Sequence, residues 1–347
     1  MIDLTPMPRI CRSARALSRF AAALCLAVSG TPSQAEIYKW KDDKGVLHFS
    51  DQPPENPGLA STVVSPAPSP IVKPVASPAT QEVAPGSIEK EQKALEANLH
   101  KSLKAGDPAK TEIFLLTFAG DSKQSVFMKE SLYVQKLFAR KYGTAGHSLA
   151  LINHKSTTRD YLIASPQNLS MALKTYAKLM NEDDILYLYL SSHGSRDHQL
   201  VIDFRPYTEQ WLDAQTLRQI LDESGIKWRV VVVSACYSGG FVEPLKSPTS
   251  LIATASDAAS TSFGCSDDRE FTYFGEVIFK NLMTSGVDFV EALRKSPAEV
   301  TKLESRMNTD HHSKPQFWMG EEMRRKLADP AVTAAWVKQG TASQARK

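Results

Sequence analysis

The chain has 347 residues, of which 42% are hydrophobic and 23% are charged. This length and composition allow one domain of ordinary size with additional segments, and they exclude a chain that is disordered throughout. The formal net charge is +3, and residues 1–35 alone hold four arginines and one aspartate. The remaining residues are therefore nearly neutral, which argues against a nucleic acid or an anionic lipid surface as the partner.

The N-terminus has the form of a secretory signal peptide. Its arginines precede a short apolar block at residues 20–28, and small and polar residues follow up to Ala35. The block is too short to span a bilayer, and the pattern predicts cleavage after Ala35. We therefore expect a periplasmic or secreted protein with no membrane span in the mature chain. The alternative is that residues 1–35 form a buried or interfacial helix.

Residues 36–56 are predicted to form a small β module. Two stretches rich in apolar and aromatic residues, 37–40 and 46–49, flank a turn sequence at Asp42–Gly45, a pattern typical of two short strands. The Tyr-Lys-Trp, His-Phe-Ser-Asp and Pro-Pro sequences resemble a module of unknown function found at the mature N-terminus of many exported bacterial proteins. A cell-envelope component is the candidate partner of this module.

Residues 57–109 are interpreted as a linker with a helical lead-in. Residues 57–86 are rich in Pro, Ala, Ser and Val, a composition that favours extended, semi-rigid chain and cannot build a core. Residues 88–104 have the pattern of a helix. This organisation predicts a tether between the β module and the main domain.

Residues 110–325 are predicted to form the main domain, followed by a tail at residues 326–347. The predicted strands lie at residues 113–118, 148–153, 185–190, 230–233 and 250–254, and the predicted helices at 126–142, 169–180, 214–221, 271–283 and 288–307. Strands that alternate with helices argue for an α/β fold with a mostly parallel sheet covered on both faces.

Cys236 follows the fourth predicted strand. The run Val230–Val233 is apolar and β-branched, as in a strand buried on both faces, and a glycine pair comes shortly after the cysteine. In open α/β sheets, ligands bind at the carboxyl ends of the strands. Cys236 is therefore a candidate nucleophile. The alternative is an inert, buried cysteine.

His193 and Gly194 follow the third predicted strand in the same way. Because neighbouring parallel strands end on the same side of a sheet, we expect His193 to face Cys236. An imidazole lowers the pKa of a nearby thiol and delivers a proton to the leaving group. The backbone N–H groups of Gly194 and Cys236 are predicted to stabilise an oxyanion.

These motifs resemble the legumain (asparaginyl endopeptidase) family, which includes the catalytic subunit of glycosylphosphatidylinositol transamidase and shares its fold with caspases. The resemblance rests on four sequences in order: Ser-His-Gly-Ser at 192–195, Ser-Ala-Cys-Tyr-Ser-Gly at 234–239, Thr-Ser-Phe-Gly-Cys at 261–265 and Thr-Tyr-Phe-Gly at 272–275. It implies a caspase-like three-layer α/β sandwich and a cysteine endopeptidase or transpeptidase that acts on a peptide or protein. It also implies that Cys236 is the nucleophile, that His193 is the general acid and base, that the backbone of Gly194 binds the oxyanion, and that no cofactor or metal is needed.

The resemblance is less complete at the substrate pocket. The family recognises asparagine with one acid two residues before the cysteine and another just after the Tyr-x-Gly motif. Here the first position is Ser234, a departure, and the second is Glu276, which keeps the negative charge. Ser262 matches a pocket-lining serine of the family. Asn, Lys and Arg are all candidate substrate residues for this pocket.

The sequence leaves two alternatives open, one to an active enzyme and one to a reduced Cys236. The family asparagine near the exit of the first strand has no counterpart in residues 119–126, so no group is assigned to orient His193. A catalytically silent caspase-fold domain that binds envelope partners is therefore the alternative to an enzyme. Loss of residues 1–35 leaves Cys236 and Cys265, and a disulfide between them in an oxidising compartment is the alternative to a free thiol.

Overall fold

The computed structural model describes residues 38–41, 47–50, 62–63 and 85–333, with side chains from residue 88. The predicted signal peptide, the turn of the β module, nearly all of the linker before residue 85 and the end of the tail lie outside the described residues. The chain divides into two compact units, Met1–Thr80 and Gln81–Lys347.

The first unit contains a small antiparallel sheet. Strands β1 (Tyr38–Lys41), β2 (Leu47–Ser50) and β3 (Thr62–Val63) pair in the order β2-β1-β3. The strands β1 and β2 lie where the sequence predicts them. The strand β3 falls in residues that we interpreted as linker, and it pairs with β1 to make a three-stranded sheet. Isolated two-stranded hairpins are only marginally stable in water.

The second unit is built on a six-stranded sheet with the order β11-β10-β9-β6-β4-β5. Its strands are β4 (Ile113–Ala119), β5 (Ser148–Ile152), β6 (Ile185–Ser191), β9 (Trp228–Ser234), β10 (Ser250–Thr254) and β11 (Gln316–Met319), and a separate hairpin consists of β7 (Gln199–Phe204) and β8 (Thr208–Asp213). The pairs within β10-β9-β6-β4-β5 are parallel, and β11 is antiparallel to β10.

Helices cover both faces of this sheet. They are α1 (Pro85–Asn98), α2 (Ser125–Tyr142), α3 (Pro166–Ala177), α4 (Ala214–Ser224), α5 (Val242–Leu245), α6 (Tyr273–Gly275), α7 (Phe289–Met307) and α8 (Glu321–Ala328), with 3-10 turns at Leu99–Ser102 and Ser238–Phe241 and a π-helical turn at Glu276–Leu282. No helix among the residues described here is both long and apolar enough to cross a membrane.

The two faces of β6 separate two hydrophobic cores. Leu186 and Leu188 pack with α3 and α4 on one face, whereas Tyr187 and Tyr189 pack with α2 and α7 on the other. Successive side chains of a strand point to opposite faces, so one continuous apolar strand fills both cores. The predicted α/β architecture, a three-layer sandwich with a mostly parallel sheet, is confirmed.

Three features differ from the sequence-based expectations. The hairpin β7–β8 and the edge strand β11 were not predicted. Strand β8 alternates buried and exposed residues, with Trp211 52% exposed, and β11 is half-buried along its length, so neither carries a continuous apolar run. The helix predicted at 271–283 begins at Tyr273, because the hydroxyl of Thr272 caps the N–H of Gly275.

Candidate active site

The ends of β6 and β9 place His193 and Cys236 at the same edge of the sheet. Ser191 at the end of β6 is paired with Ser234 at the end of β9, and the N–H of the next residue after Ser191 donates to the carbonyl of Ser234 (3.2 Å). His193 and Cys236 each follow two residues after this pair. The structure therefore brings the two predicted catalytic residues to one rim, as the sequence predicts.

Gly194 lies directly against the backbone of Cys236. A Cβ atom at position 194 would overlap the carbonyl oxygen of Cys236 and would lie 3.2 Å from the Cβ of Ala235. Only glycine fits this close approach of two loops. The N–H of Gly194 makes no hydrogen bond within the part of the chain described here, so it is available to an oxyanion.

The sulfur of Cys236 is half-buried and contacts Ser262. The N–H of Ser262 donates to Sγ (3.2 Å), and the Ser262 hydroxyl lies 3.6 Å from the same atom. The carbonyl oxygen of Ser262 lies 3.7 Å from Sγ, so both backbone groups of Ser262 face the sulfur. The next residue, Tyr237, has a left-handed backbone (φ 54°), an uncommon conformation for a non-glycine residue that recurs at functional turns.

His193 packs edge-on against Phe127, with ring centroids 5.1 Å apart. Burial lowers the pKa of His193, the negative charge of Asp121 opposes this effect, and the positive charge of Lys123 adds to it. A lowered pKa favours the neutral imidazole, which is the form that can accept a proton.

Asp121 is a candidate site residue that the sequence analysis missed. It follows β4 two residues after Ala119, which pairs with Ser191, so it occupies on β4 the position that His193 occupies on β6. Its side chain is 3% exposed. One carboxylate oxygen accepts from the N–H groups of Lys123 (2.8 Å) and Gln124 (3.2 Å), which ties it to the start of α2.

Strand β7 holds the loops of Asp121 and His193 side by side. The N–H of Val201 donates to the carbonyl of His193 (3.0 Å), and Asp203 makes two backbone hydrogen bonds of 2.9 Å with the residues on either side of Asp121. Val201 and Asp203 lie two residues apart on β7. The hairpin β7–β8, which was not predicted, therefore fixes the distance between the Asp121 loop and the His193 loop.

Two protein-family models match the chain. The model described as the Peptidase C13 family matches residues 172–314, which include β6, His193, β9 and Cys236. Residues 172–314 form a Peptidase C13 family domain. The resemblance to legumain and the transamidase subunit is thereby confirmed for this domain, and a domain of this family suggests a cysteine peptidase.

The second match is to a domain of unknown function (DUF4124) at residues 22–82. It confirms the resemblance of the N-terminal module and extends beyond the predicted module at both ends. No curated protein matches the chain. Within the second unit, β4 and Asp121 precede the match to the Peptidase C13 family.

The three predicted pocket residues of the Peptidase C13 domain have different surroundings. Ser262 lies beside the sulfur of Cys236. Ser234 is 2% exposed and its hydroxyl is 3.1 Å from that of Thr272, so it belongs to a buried network. The carboxylate of Glu276 is half-buried and accepts a hydrogen bond from the guanidinium of Arg269 (2.6 Å).

The pairing of Glu276 changes the charge argument for the pocket. Its negative charge is compensated by Arg269, which also lies over the ring of Tyr273 (4.6 Å to the centroid). Electrostatic attraction to a lysine or arginine of the substrate is therefore weaker than an unpaired glutamate would provide. The sequence could not reveal this pair, because Arg269 lies in an irregular segment before α6.

Cys236 and Cys265, the two cysteines of the Peptidase C13 domain, are not joined by a disulfide in this structure. Cys265 packs against an apolar cluster that includes Phe127 and Ile152. Burial, and then the negative charges of Cys236 and Glu130, raise the pKa of Cys265 well above its ordinary value, so Cys265 is a poor nucleophile. Within the described residues, no cluster of His, Cys, Asp or Glu is arranged to hold a metal ion.

Proposed function

We propose that this protein is an exported cysteine endopeptidase or transpeptidase in which Cys236 attacks the substrate and His193 transfers the proton. The observation that carries the proposal is the contact of Gly194 with the backbone of Cys236, at the matched ends of β6 and β9. That contact places a histidine, a thiol and an open N–H group at one rim of the sheet, which is the set of groups that acyl transfer requires.

In the proposed reaction, His193 accepts the thiol proton of Cys236 and becomes an imidazolium. The thiolate attacks the carbonyl carbon of the scissile peptide bond, and the resulting oxyanion accepts the N–H of Gly194. The carbon–nitrogen bond then breaks as His193 gives its proton to the leaving amine. Attack by water on the acyl-enzyme completes hydrolysis, whereas attack by an amine completes transpeptidation.

Asp121 supports the charged state of His193 in this scheme. The buried carboxylate stabilises the imidazolium electrostatically, and the loop position set by β7 keeps the two side chains together. Such a group acts on orientation and charge and does not itself accept the proton.

For the primary pocket, the Arg269–Glu276 pair supports a neutral polar side chain such as asparagine over lysine or arginine. The pair offers both hydrogen-bond donors and acceptors, and Ser262 adds a hydroxyl beside the sulfur. An amide side chain has both donors and acceptors to match.

Export is proposed from the arginine-rich and apolar pattern of residues 1–35. The domain of unknown function at residues 22–82 is proposed to bind a cell-envelope component, and the periplasm or the exterior is the proposed location. Expression with and without residues 1–35, followed by fractionation and N-terminal sequencing, tests this part. A chain that keeps residues 1–35 and stays in the cytoplasm contradicts it.

The activity is tested with a positional-scanning peptide library on the reduced protein, beginning at Glu36. Wild type and Cys265→Ser are expected to cleave, whereas Cys236→Ala and His193→Ala are expected to be inactive. A thiol-reactive peptide analogue is expected to label Cys236 and not Cys265. If Cys236→Ala cleaves the library as well as wild type, the proposal is wrong, and an absence of cleavage and of labelling in wild type favours the silent binding domain.

A further inference from the structure

Glu130 is a fully buried carboxylate directly behind the proposed site. It lies on the face of α2 that also carries Val126 and Val134, and its side chain is 0% exposed. Its hydrogen-bond partners among the described residues are hydroxyl groups and a backbone N–H, with no lysine, arginine or histidine. A buried carboxylate without a cation must be satisfied by hydrogen-bond donors.

The partners of Glu130 come from two other elements. One oxygen accepts from the hydroxyl of Tyr189 and from that of Ser191 (3.2 Å). The other accepts from the N–H (2.8 Å) and the hydroxyl (3.0 Å) of Thr272. All of these partners donate to the oxygens of Glu130, an arrangement that fits a carboxylate. If Glu130 were protonated, its O–H group would face one of these donors, and two donors cannot hydrogen-bond each other.

Gly275 provides independent support for a site built around this carboxylate. A Cβ atom at position 275 would overlap Oε2 of Glu130. The backbone of Gly275 is ordinary right-handed helix (φ −65°), so the glycine is not required by its conformation. It is required by the space that Glu130 occupies.

The network reaches the residues that precede the proposed catalytic pair. Ser191 lies two residues before His193, and Ser234, which lies two residues before Cys236, hydrogen-bonds the Thr272 hydroxyl (3.1 Å). We propose that Glu130 is a positioning residue, whose carboxylate fastens the ends of β6 and β9 to the helix cap at Thr272 and so keeps His193 and Cys236 in register. This inference rests on the proposed peptidase function.

The ionisation of Glu130 gives the proposal a distinctive signature. Burial raises the pKa of Glu130 to about 7, although hydrogen bonds from Tyr189, Thr272 and Ser191 oppose the shift. Among the described residues, the charge of Glu130 acts on Tyr189 of β6 and on Cys265 in the segment after β10, and it adds to burial in raising the pKa of each. As the pH falls through about 7, the carboxylate takes up a proton and one donor loses its acceptor.

The test uses the chain from Glu36 with Cys265→Ser, so that Cys236 is its single thiol. Glu130→Gln keeps the shape of the side chain but places an amide NH2 group among donors. Glu112→Gln is the matched control, because Glu112 is also a buried carboxylate but lies directly before β4, at the opposite end of that strand.

We expect Glu130→Gln to lower kcat by about tenfold to a hundredfold with little change in KM, because the reacting groups are misplaced while the binding surface remains. The rate of alkylation of Cys236 by iodoacetamide, measured against pH, should contain a step near pH 7 in wild type that is missing in Glu130→Gln. The Glu112→Gln control should keep both the wild-type kcat and the step.

A second variant guards against a failure of Glu130→Gln to fold. Gly275→Ala should lower kcat and slow the alkylation of Cys236, because the added methyl group would displace the carboxylate of Glu130 from its donors. The step near pH 7 should also shift or disappear in this variant, whereas a general loss of packing would leave the step in place.

The outcomes separate this inference from the proposed function. If wild type cleaves no peptide, the proposed function fails, and the alkylation profile still decides whether Glu130 positions Cys236. The inference is overturned if Glu130→Gln folds with the wild-type kcat and alkylation profile, or if Gly275→Ala keeps both.

Discussion

Gly194 packs against the carbonyl group of Cys236 so closely that a Cβ atom at position 194 would overlap it, and the loops that carry His193 and the thiol therefore touch through their backbones. The contact leaves no room for a side chain at position 194. The distance between the two loops is therefore set by a contact between backbones, which varies less than a contact between long side chains.

Replacing Gly194 with alanine is therefore expected to disable the site. The added methyl group would overlap the carbonyl of Cys236 and separate the two loops, and a displacement of about 1 Å at reacting groups costs on the order of a hundredfold in rate. Steady-state kinetics on the best peptide substrate measure the loss. Ser195→Ala, in the same loop, is the control and should stay near wild type. A Gly194→Ala variant with wild-type kcat would refute the tight contact.

The second prediction concerns the charge that Asp121 places near His193. Asp121→Asn removes a negative charge that raises the pKa of His193, so this pKa should fall further below its ordinary value. Imidazole resonances followed by NMR against pH measure it directly. Asp222→Asn is the matched control, because the Asp222 carboxylate pairs with Arg218 and Arg229 and is not among the charges that act on His193. An unchanged titration of His193 in Asp121→Asn would show that the two groups are not coupled.

The strands and their order of appearance were predictable because buried parallel strands are continuous apolar runs. The edges of the fold were not. Strand β8 has polar residues on its exposed face, and only the three-dimensional structure shows that β7 pairs with the loops at Asp121 and His193. Asp121 itself becomes visible once β4, β6 and β9 are in register, since it then falls level with His193 and Cys236.

Glu130 left a signal in the sequence that is easy to pass over. In a helix predicted at 126–142, position 130 lies on the apolar stripe between Val126 and Val134, where a glutamate is costly unless its partners are built in. Those partners come from β6 and from Thr272, and no spacing rule connects such distant segments. The pairing of Glu276 with Arg269 was hidden for the same reason.

The third prediction is a change of substrate preference in Arg269→Ala. Removing the guanidinium leaves the carboxylate of Glu276 without its partner, so the pocket becomes more negative. The ratio of kcat/KM for lysine over asparagine at the cleavage position should rise, and Glu276→Gln should lower it. Matched peptides that differ only at this position provide the measurement. If neither variant alters the ratio, Glu276 does not line the primary pocket.

The fourth prediction concerns stability against pH. Folding raises the pKa of Glu130 from 4.5 to about 7, so the folded protein holds this proton more tightly than the unfolded chain does. The contribution of Glu130 to stability is therefore fully present below pH 4.5 and is lost as the pH rises through about 7. Urea denaturation at a series of pH values should show this fall in wild type and not in Glu130→Gln. Parallel curves for the two proteins would contradict the burial of an ionisable carboxyl.

The last prediction compares two buried tyrosines. The hydroxyl of Tyr187 has no hydrogen-bond partner within the described part of the chain, whereas the hydroxyl of Tyr176 donates to the carbonyl of Leu115 (2.6 Å). Leaving a buried hydroxyl unsatisfied costs about 1–3 kcal/mol, and a satisfied one contributes about 1 kcal/mol.

Tyr187→Phe should therefore raise the free energy of unfolding, and Tyr176→Phe should lower it. Each substitution removes one hydroxyl oxygen from a tyrosine that is 0% exposed. The burial of the two rings is therefore matched, and the two sites differ in whether the hydroxyl has a hydrogen-bond partner. Urea titration of both variants measures the two changes. If both variants lower the free energy of unfolding equally, the Tyr187 hydroxyl has a hydrogen-bond acceptor in solution and the prediction is wrong.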